Sequence, residues 1–257
     1  MAMLSLIKSR IFNPRVLSSL LLSVFLSVSA YGQDAAEEEK NVDPWEGLNR
    51  SVFVFNETLD RWVLKPVATA YQFVTPNFIE TGISNFFSNL LELRNILNDV
   101  LQWKWKQAGN DTGRFLVNST AGIGGFIDVA QHVNLEKSEG EDFGQTLAVW
   151  GVPDGPFIML PFLGPSTLRD TAGLPLDWVA DPIGQLDDIP TRNSVRALDF
   201  IDTRVGLLEA EALISGDRYI FFREGYLQRR DYLVNDGQIE SDFGSDFGDE
   251  EYGEVEF

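Results

Sequence analysis

The stretch IETGISNFFSNLLELRNILNDVL, residues 79–101, decides the fold class. Its apolar positions Ile79, Ile83, Phe86, Leu90, Leu93, Leu97 and Val100 recur at steps of three and four, the repeat of one helical face. Phe87, Leu91 and Leu101 flank the stripe, so the apolar arc is wide. Upstream, Leu48, Val52, Phe55, Leu59 and Trp62 keep the same spacing, and Pro66 ends or bends that helix. Downstream, Val195, Leu198, Ile201, Val205, Leu208 and Ala212 mark another, with Gly216 placed to cap it. Tyr219, Phe222, Tyr226 and Leu233 suggest a last helix. No run alternates convincingly as a strand, so the expected class is mainly α.

The middle of the chain breaks this pattern. Gly122 to Gly125 is glycine-rich, and Gly151 to Pro175 is dense in Pro and Gly. The segment Pro156 to Pro165 is almost wholly apolar, yet its prolines forbid a regular helix. It is expected to be either a buried extended loop or an apolar edge lying in lipid.

The two ends differ again. Lys8, Arg10 and Arg15, the apolar run Val16 to Val28 and the small residues Val28-Ser29-Ala30 have the order of a secretory signal peptide. The apolar run is too short for a bilayer, which takes about 20 residues. An uncleaved N-terminal anchor is the alternative. The expected organisation is a signal segment at 1–30, an acidic lead at 31–42, one domain at 43–235 and an acidic tail at 236–257. The tail holds nine acidic and no basic residues with recurring phenylalanines, as a solvated segment or a partner-docking peptide would.

Charge and cysteine count narrow the classes. The formal net charge is -19, and loss of the three basic residues in 1–30 takes it to -22. Nucleic acid would repel such a chain, as would an anionic lipid surface, so membrane binding must rest on inserted apolar surface. There is no cysteine, hence no disulfide and no acylated cysteine.

Catalytic chemistry is missing. His132 is the one histidine, and no serine sits in a Gly-x-Ser-x-Gly elbow; Gly164-Pro165-Ser166 lacks the second glycine. No His or Cys pair has transition-metal spacing, and none of the six lysines follows a glycine as a phosphate loop requires. Gly122-Ile123-Gly124-Gly125 lacks the strand and spacing of a dinucleotide turn and is read as a tight helix-to-helix corner. Asp187-Asp188 and Glu141-Asp142 do not follow a calcium-loop pattern. The expectation is no enzyme, no metal and no cofactor. What the chain does offer is tryptophan: Trp45, Trp62, Trp103, Trp105, Trp150 and Trp178. Trp103-Lys104-Trp105-Lys106 suits a headgroup layer, where indole rings settle and lysines snorkel, and suits the rim of an ordinary core equally well.

Several motifs, in one order, resemble the MlaA/VacJ family. They are Asp43-Pro44-Trp45-Glu46-Gly47-Leu48-Asn49-Arg50 with Phe55-Asn56, and Arg114-Phe115-Leu116-Val117-Asn118 leading to Gly122 to Ala130. Phe143-Gly144-Gln145-Thr146-Leu147, Trp150-Gly151-Val152, Gly155-Pro156, Leu160-Pro161 and Thr167-Leu168-Arg169-Asp170 follow, then Arg223-Glu224-Gly225-Tyr226-Leu227. The resemblance covers roughly Asp43 to Asn235. It implies a ring-like single domain of amphipathic, membrane-interfacial helices with Gly/Pro-rich central loops and a polar channel. It further implies an exported protein on the periplasmic side of the outer membrane of a Gram-negative cell. Such a protein would remove mislocalised phospholipid from the outer leaflet, pass it to a periplasmic carrier and an inner-membrane ABC-type complex, and associate with trimeric porins. A non-transporting scaffold that binds porins is the alternative.

On that resemblance, Asn49, Arg50, Phe55, Asn56, Gly122, Gly124 and Gly125 are the lipid and channel candidates. Val52, Leu59, Trp103, Trp105, Phe157 and Phe162 are the membrane-interface candidates. Arg50 is expected to hold phosphate or to pair with a nearby acid, since a guanidinium engages two oxygens at once. The family's lipoprotein cysteine has no counterpart here, so attachment is expected to be peripheral rather than lipid-anchored. Salt or carbonate washes should therefore release this protein from membranes more readily than an acylated lipoprotein, read by fractionation; retention through both washes would contradict a peripheral attachment.

Overall fold

The computed structural model describes residues 41–237; the expected signal segment, the lead up to residue 40 and the tail beyond residue 237 lie outside the described residues. The chain opens with helix α1 (Glu46–Leu59), which passes through one wide π turn (Asp60–Leu64) into α2 (Lys65–Val74). Pro66 explains the wide turn. Its ring has no N–H and crowds the carbonyl four residues back, so the backbone widens, and Lys65 N–H reaches Asp60 O instead. The proline thus bends the helix rather than ending it. Thr75 is extended ahead of Pro76, as a residue before proline tends to be, and this separates α2 from α3 (Asn77–Leu101).

Trp103, with φ 64, turns the chain out of α3 into α4 (Trp105–Thr120), which packs along α3. After the glycine corner and a short turn at Ala130–Val133 come α5 (Phe143–Val149) and α6 (Leu168–Ala180), packed on each other. Then follow α7 (Ile189–Gly206) and α8 (Arg218–Val234). Side-chain caps start four of these helices: Asp142 for α5, Thr167 for α6, Asp188 for α7 and Asp217 for α8. Among the described residues, Val42 to Gly237 form one compact unit, and no described helix is long and apolar enough to cross a membrane.

Two expectations need correction. The helix expected through Ala212 stops at Gly206, and the chain continues as a short turn at Ala210–Leu213. Gly216, with φ +74, leads into the α8 cap at Asp217 instead of closing α7. Within the Pro/Gly-rich stretch, the segment expected as a buried extended loop or an apolar edge has more regular structure than a loop. It is an antiparallel hairpin of β1 (Phe157–Leu160) and β2 (Gly164–Thr167), with Phe157 opposite Thr167.

Strand alternation splits that hairpin between two environments. Phe157 and Met159 point inward and, with Tyr219 of α8, make a small apolar core joined by Val52, Phe53, Tyr226 and Leu227. Phe162 and Leu163 stand exposed at the tip. Asn49 pins this arrangement. Its amide donates to Asp43 Oδ1 at 2.8 Å and to Phe157 O at 3.1 Å, while its oxygen accepts from Met159 N–H at 2.9 Å. Asn56, two turns on, repeats the device on the tip, donating to Leu160 O and accepting from Phe162 N–H.

The partition elsewhere is inverted. Among the described residues, twenty-one polar or charged residues are buried against nine hydrophobic ones. Helix α3 turns Asn89, Glu92, Asn95, Asn98 and Asp99 inward and leaves Phe86, Leu91, Leu93, Leu97 and Val100 exposed. Leu48, Trp62 and Phe73 are 67%, 75% and 90% exposed. Such a surface exceeds what a monomer in water normally carries. Asn49→Ala would leave Phe157 O and Met159 N–H buried without partners, each costing about 1–3 kcal/mol. The variant is expected to lose on the order of 2–4 kcal/mol of stability in urea denaturation of the detergent-solubilised protein.

Candidate functional site

The α3–α4 interface is built from polar groups. Arg114 of α4 donates from Nε to Glu92 at 3.0 Å, from Nη2 to Asp128 at 2.9 Å and from Nη1 to Leu135 O at 2.7 Å. Asn118 donates to Asp128 and accepts from Ala130 N–H, which fastens the segment after the glycine corner to α4. Further along α3, Asn95 accepts from Glu141 N–H, Gln102 donates to Glu141 and Thr146, and Thr146 donates to Asn98. Asp99, fully buried, has no hydrogen-bond donor on either carboxyl oxygen among the described residues. Burial first, then the charges of Asp111 and Glu141, push its pKa up to about 8. It is therefore largely protonated at neutral pH.

Helix α8 contributes a second polar stripe at helical spacing: Tyr219, Arg223, Tyr226 and Arg230. The Tyr219 hydroxyl and Arg223 donate to Asp43, and Tyr226 donates to Asp170. Arg230 spans Asp142, at 2.6 and 2.7 Å, and Asp170 at 2.8 Å. Burial alone would raise the Asp142 carboxyl, but the Arg230 guanidinium outweighs it and holds the pKa at about 2.

Two cavities open on this interior. The larger, of about 970 Å³, lies under Trp103 and Trp105 and is lined by Lys104, Lys106, Asn110, Lys137, Glu141 and Tyr232, among others. Its main cation is already used, since Lys104 pairs with Glu141 at 2.8 Å and with Asp236. The smaller, of about 340 Å³, lies among α3, α6 and α7. Leu91, Trp178 and Phe200, all exposed, also line it, as do Arg94, Asp142, Asp177, Asp181, Arg196 and Asp199. Here apolar surface and charge meet in one concavity, the composition an amphiphile requires. Burial pushes Asp177 up to about 6, offset in part by Arg94 and by the Phe143 N–H that donates to its Oδ1 at 3.0 Å.

A family model described as MlaA lipoprotein matches residues 41–233. The chain belongs to the MlaA family. It is 37% identical over 228 residues to the intermembrane phospholipid transport system lipoprotein MlaA of Escherichia coli K12, covering 87% of this chain and 90% of that one. The Haemophilus influenzae MlaA is 30% identical over 239 residues, 87% and 92% of the two chains. A solved structure described as "Structural basis for maintenance of bacterial outer membrane lipid asymmetry" superposes with a TM-score of 0.67 at 38% identity, covering 75% of this chain and 99% of its own.

The MlaA-type motifs fall on the elements that hold the polar interior together. Asn49 and Asn56 spend their amides on the hairpin, as described above. Arg50 pairs with Glu46 at 2.7 Å and Asp217 at 2.8 Å and lies over the Tyr219 ring, so the pairing alternative for this residue is the one the structure contains. Val52 and Phe157, expected at the membrane, face the apolar core because helical and strand phase turn them inward. Phe55 and Phe162 do meet on the outside, edge to face at 5.3 Å, and Leu59 is half-buried. Trp103 and Trp105 are exposed and stack edge to face at 5.7 Å.

Gly122 and Gly125 are buried at the corner. A Cβ on Gly125 would meet the Asn89 side chain at 2.6 Å, and one on Gly122 would meet Ile127 O at 2.1 Å. Gly124, with φ +70, faces open space. Arg94, Asp177 and Asp199 escaped the sequence reading. The available signal was a helix face rich in asparagine, a poor helix former, opposite the leucine stripe of α3. Asp177 sits above its ordinary value of 3.8, so the folded chain holds this proton more tightly than the unfolded one. Its contribution to stability is full below about pH 4 and is lost as pH rises to about 6. Asp177→Asn, which keeps the acceptor for Phe143 N–H, is expected to be more stable than wild type by on the order of 1–3 kcal/mol at pH 7. The difference should vanish below pH 4 in urea titrations across pH.

Proposed function

We propose that this chain transports phospholipid at the outer membrane. In this reading it takes mislocalised phospholipid from the outer leaflet through a polar passage and hands it to a periplasmic carrier serving an inner-membrane ABC-type complex. The observation that carries the reading is the inverted partition: leucines and aromatics outside, charged and amide side chains inside, with a cavity joining the two. An apolar exterior matches the acyl region of a leaflet, where exposed leucines gain rather than lose free energy. A polar interior supplies what a headgroup needs while it crosses that layer. The names borne by the MlaA relatives, which describe an intermembrane phospholipid transport system, support the same reading.

The protein sits at the periplasmic side of the outer membrane, held by its apolar faces, since its sequence offers no cysteine for acylation. The ring arrangement and the association with trimeric porins belong to this proposal. Phe55, Phe162, Trp103 and Trp105 face lipid. Asn49 and Asn56 act as pins for the hairpin rather than as headgroup ligands, and Gly122, Gly124 and Gly125 let the corner seat against α3. No step calls for a nucleophile or a redox centre, so the chain works without catalysis. A porin-binding scaffold would account for the apolar exterior but leaves the charged cavity without a role.

Deleting the gene is expected to raise surface-exposed phospholipid, read as the product of an outer-membrane acyltransferase that modifies only outer-leaflet phospholipid. Restoring it should lower that product. An unchanged level, in a strain without a paralogue, would sink the transport reading in favour of the scaffold.

A further inference from the structure

The cavity among α3, α6 and α7 is lined by charges that are not all paired with one another. Arg94 is unusual in this chain. Its Nε donates to Glu141 O at 3.1 Å, but no carboxylate lies within ion-pairing distance of it among the described residues. The other guanidinium lining the cavity, Arg196, is paired with Asp181 at 2.8 Å. The Nη groups of Arg94 are therefore open donors in a half-buried cavity.

Two acids face the same space without a direct ion pair among the described residues. Asp177 is 7% exposed, and its Oδ2 has no partner among the described residues, since only Oδ1 accepts, from Phe143 N–H. Asp199 of α7 lines the cavity and has no hydrogen bond or ion pair among the described residues. Burial raises both carboxyls, offset in part by the more distant charge of Arg94 and, at Asp199, of Arg196; neither has a cation in direct contact, so both carboxylates would gain from one carried by a ligand. The remaining acids there, Asp142 and Asp181, are each neutralised by an arginine, Arg230 and Arg196.

We propose that this cavity holds the headgroup of a zwitterionic aminophospholipid, with Arg94 on the phosphodiester and Asp177 and Asp199 on the primary ammonium. The assignment rests on the phospholipid-transport reading and names its substrate class. A guanidinium engages phosphate oxygens in pairs, and a primary ammonium donates three hydrogen bonds, which two carboxylates can accept. A headgroup with a net negative charge would bring its phosphate to Arg94 but leave both acids facing an anion or a hydroxyl. A trimethylated ammonium has no N–H to donate. At 340 Å³ the cavity suits a headgroup and leaves no room for acyl chains, which would extend past Leu91, Trp178 and Phe200 onto the apolar exterior.

The test uses the full chain, delipidated in detergent, with equal amounts of phosphatidylethanolamine, phosphatidylcholine and phosphatidylglycerol, and counts bound lipid by native mass spectrometry. Phosphatidylethanolamine is expected to bind about tenfold more tightly than either of the others, the scale of one charge-assisted hydrogen bond. Asp199→Asn should remove most of that preference, and Arg94→Gln should weaken all three lipids together. Circular dichroism melts confirm that both variants are folded. Equal binding of phosphatidylglycerol, or an unchanged preference in folded Asp199→Asn, overturns the headgroup assignment while leaving phospholipid transport intact. Binding of none of the lipids by the wild-type chain overturns both. Glycerophosphoethanolamine, which lacks acyl chains, is expected to compete poorly; if it competes as well as the lipid, the occupant is a soluble phosphoamine and the lipid assignment fails.

Discussion

Arg114 holds its part of the molecule by a single guanidinium. It joins α3 through Glu92, the segment after the glycine corner through Asp128, and the following turn through Leu135 O, from a position 2% exposed. A charge so deep is tolerable only because acids and a carbonyl surround it. Removing either partner would strand the other, so the segments must assemble together. The same rule runs through the interior. Arg230 on Asp142 and Asp170, and Asn49 on the hairpin, replace the apolar contacts that usually fasten helices to one another.

An interior made this way has a consequence for the exterior. The chain is 44% hydrophobic, yet only nine hydrophobic residues are buried among the described residues, and many large ones are exposed. In water each exposed leucine or phenylalanine forfeits roughly 1.5–3 kcal/mol relative to burial. In an acyl layer that penalty would disappear. Architecture and location are thus one problem. The hairpin shows the join: Phe157 lies in the small core, while Phe162, five residues on, meets Phe55 on the outer surface.

Much of the helical pattern was legible because helix phase is local. The stripes of α1 and α3 and the bend at Pro66 follow from side-chain spacing and from a missing N–H. The hairpin was not legible, since its four-residue strands are formed by pairing with each other and with Asn49 and Asn56, more than a hundred residues away in sequence. The end of α7 was misplaced for a related reason. The apolar spacing runs on past Gly206, but Arg204 pairs with Asp60 and Glu211, and the chain turns there. At the site, the aromatic exterior at Trp103 and Trp105 could be read from composition. The cavity acids could not, because Asp177 and Asp199 sit on different helices and share a space only once these pack against α3.

The sequence by itself determined a mainly helical class, wide apolar arcs, an acidic balance, the lack of cysteine and the motifs of the family. All of these depend on residue identity and short-range spacing. Tertiary structure decided which side of each arc faces inward. An amphipathic stripe has the same period whether its leucines or its asparagines are buried. It also decided which arginines are spent and which remain open: Arg50, read as a phosphate ligand or an ion-pair partner, is consumed by Glu46 and Asp217, whereas Arg94 has no acid within ion-pairing distance among the described residues. The availability of a charge depends on the distance to every other charge, and only the folded chain sets those distances.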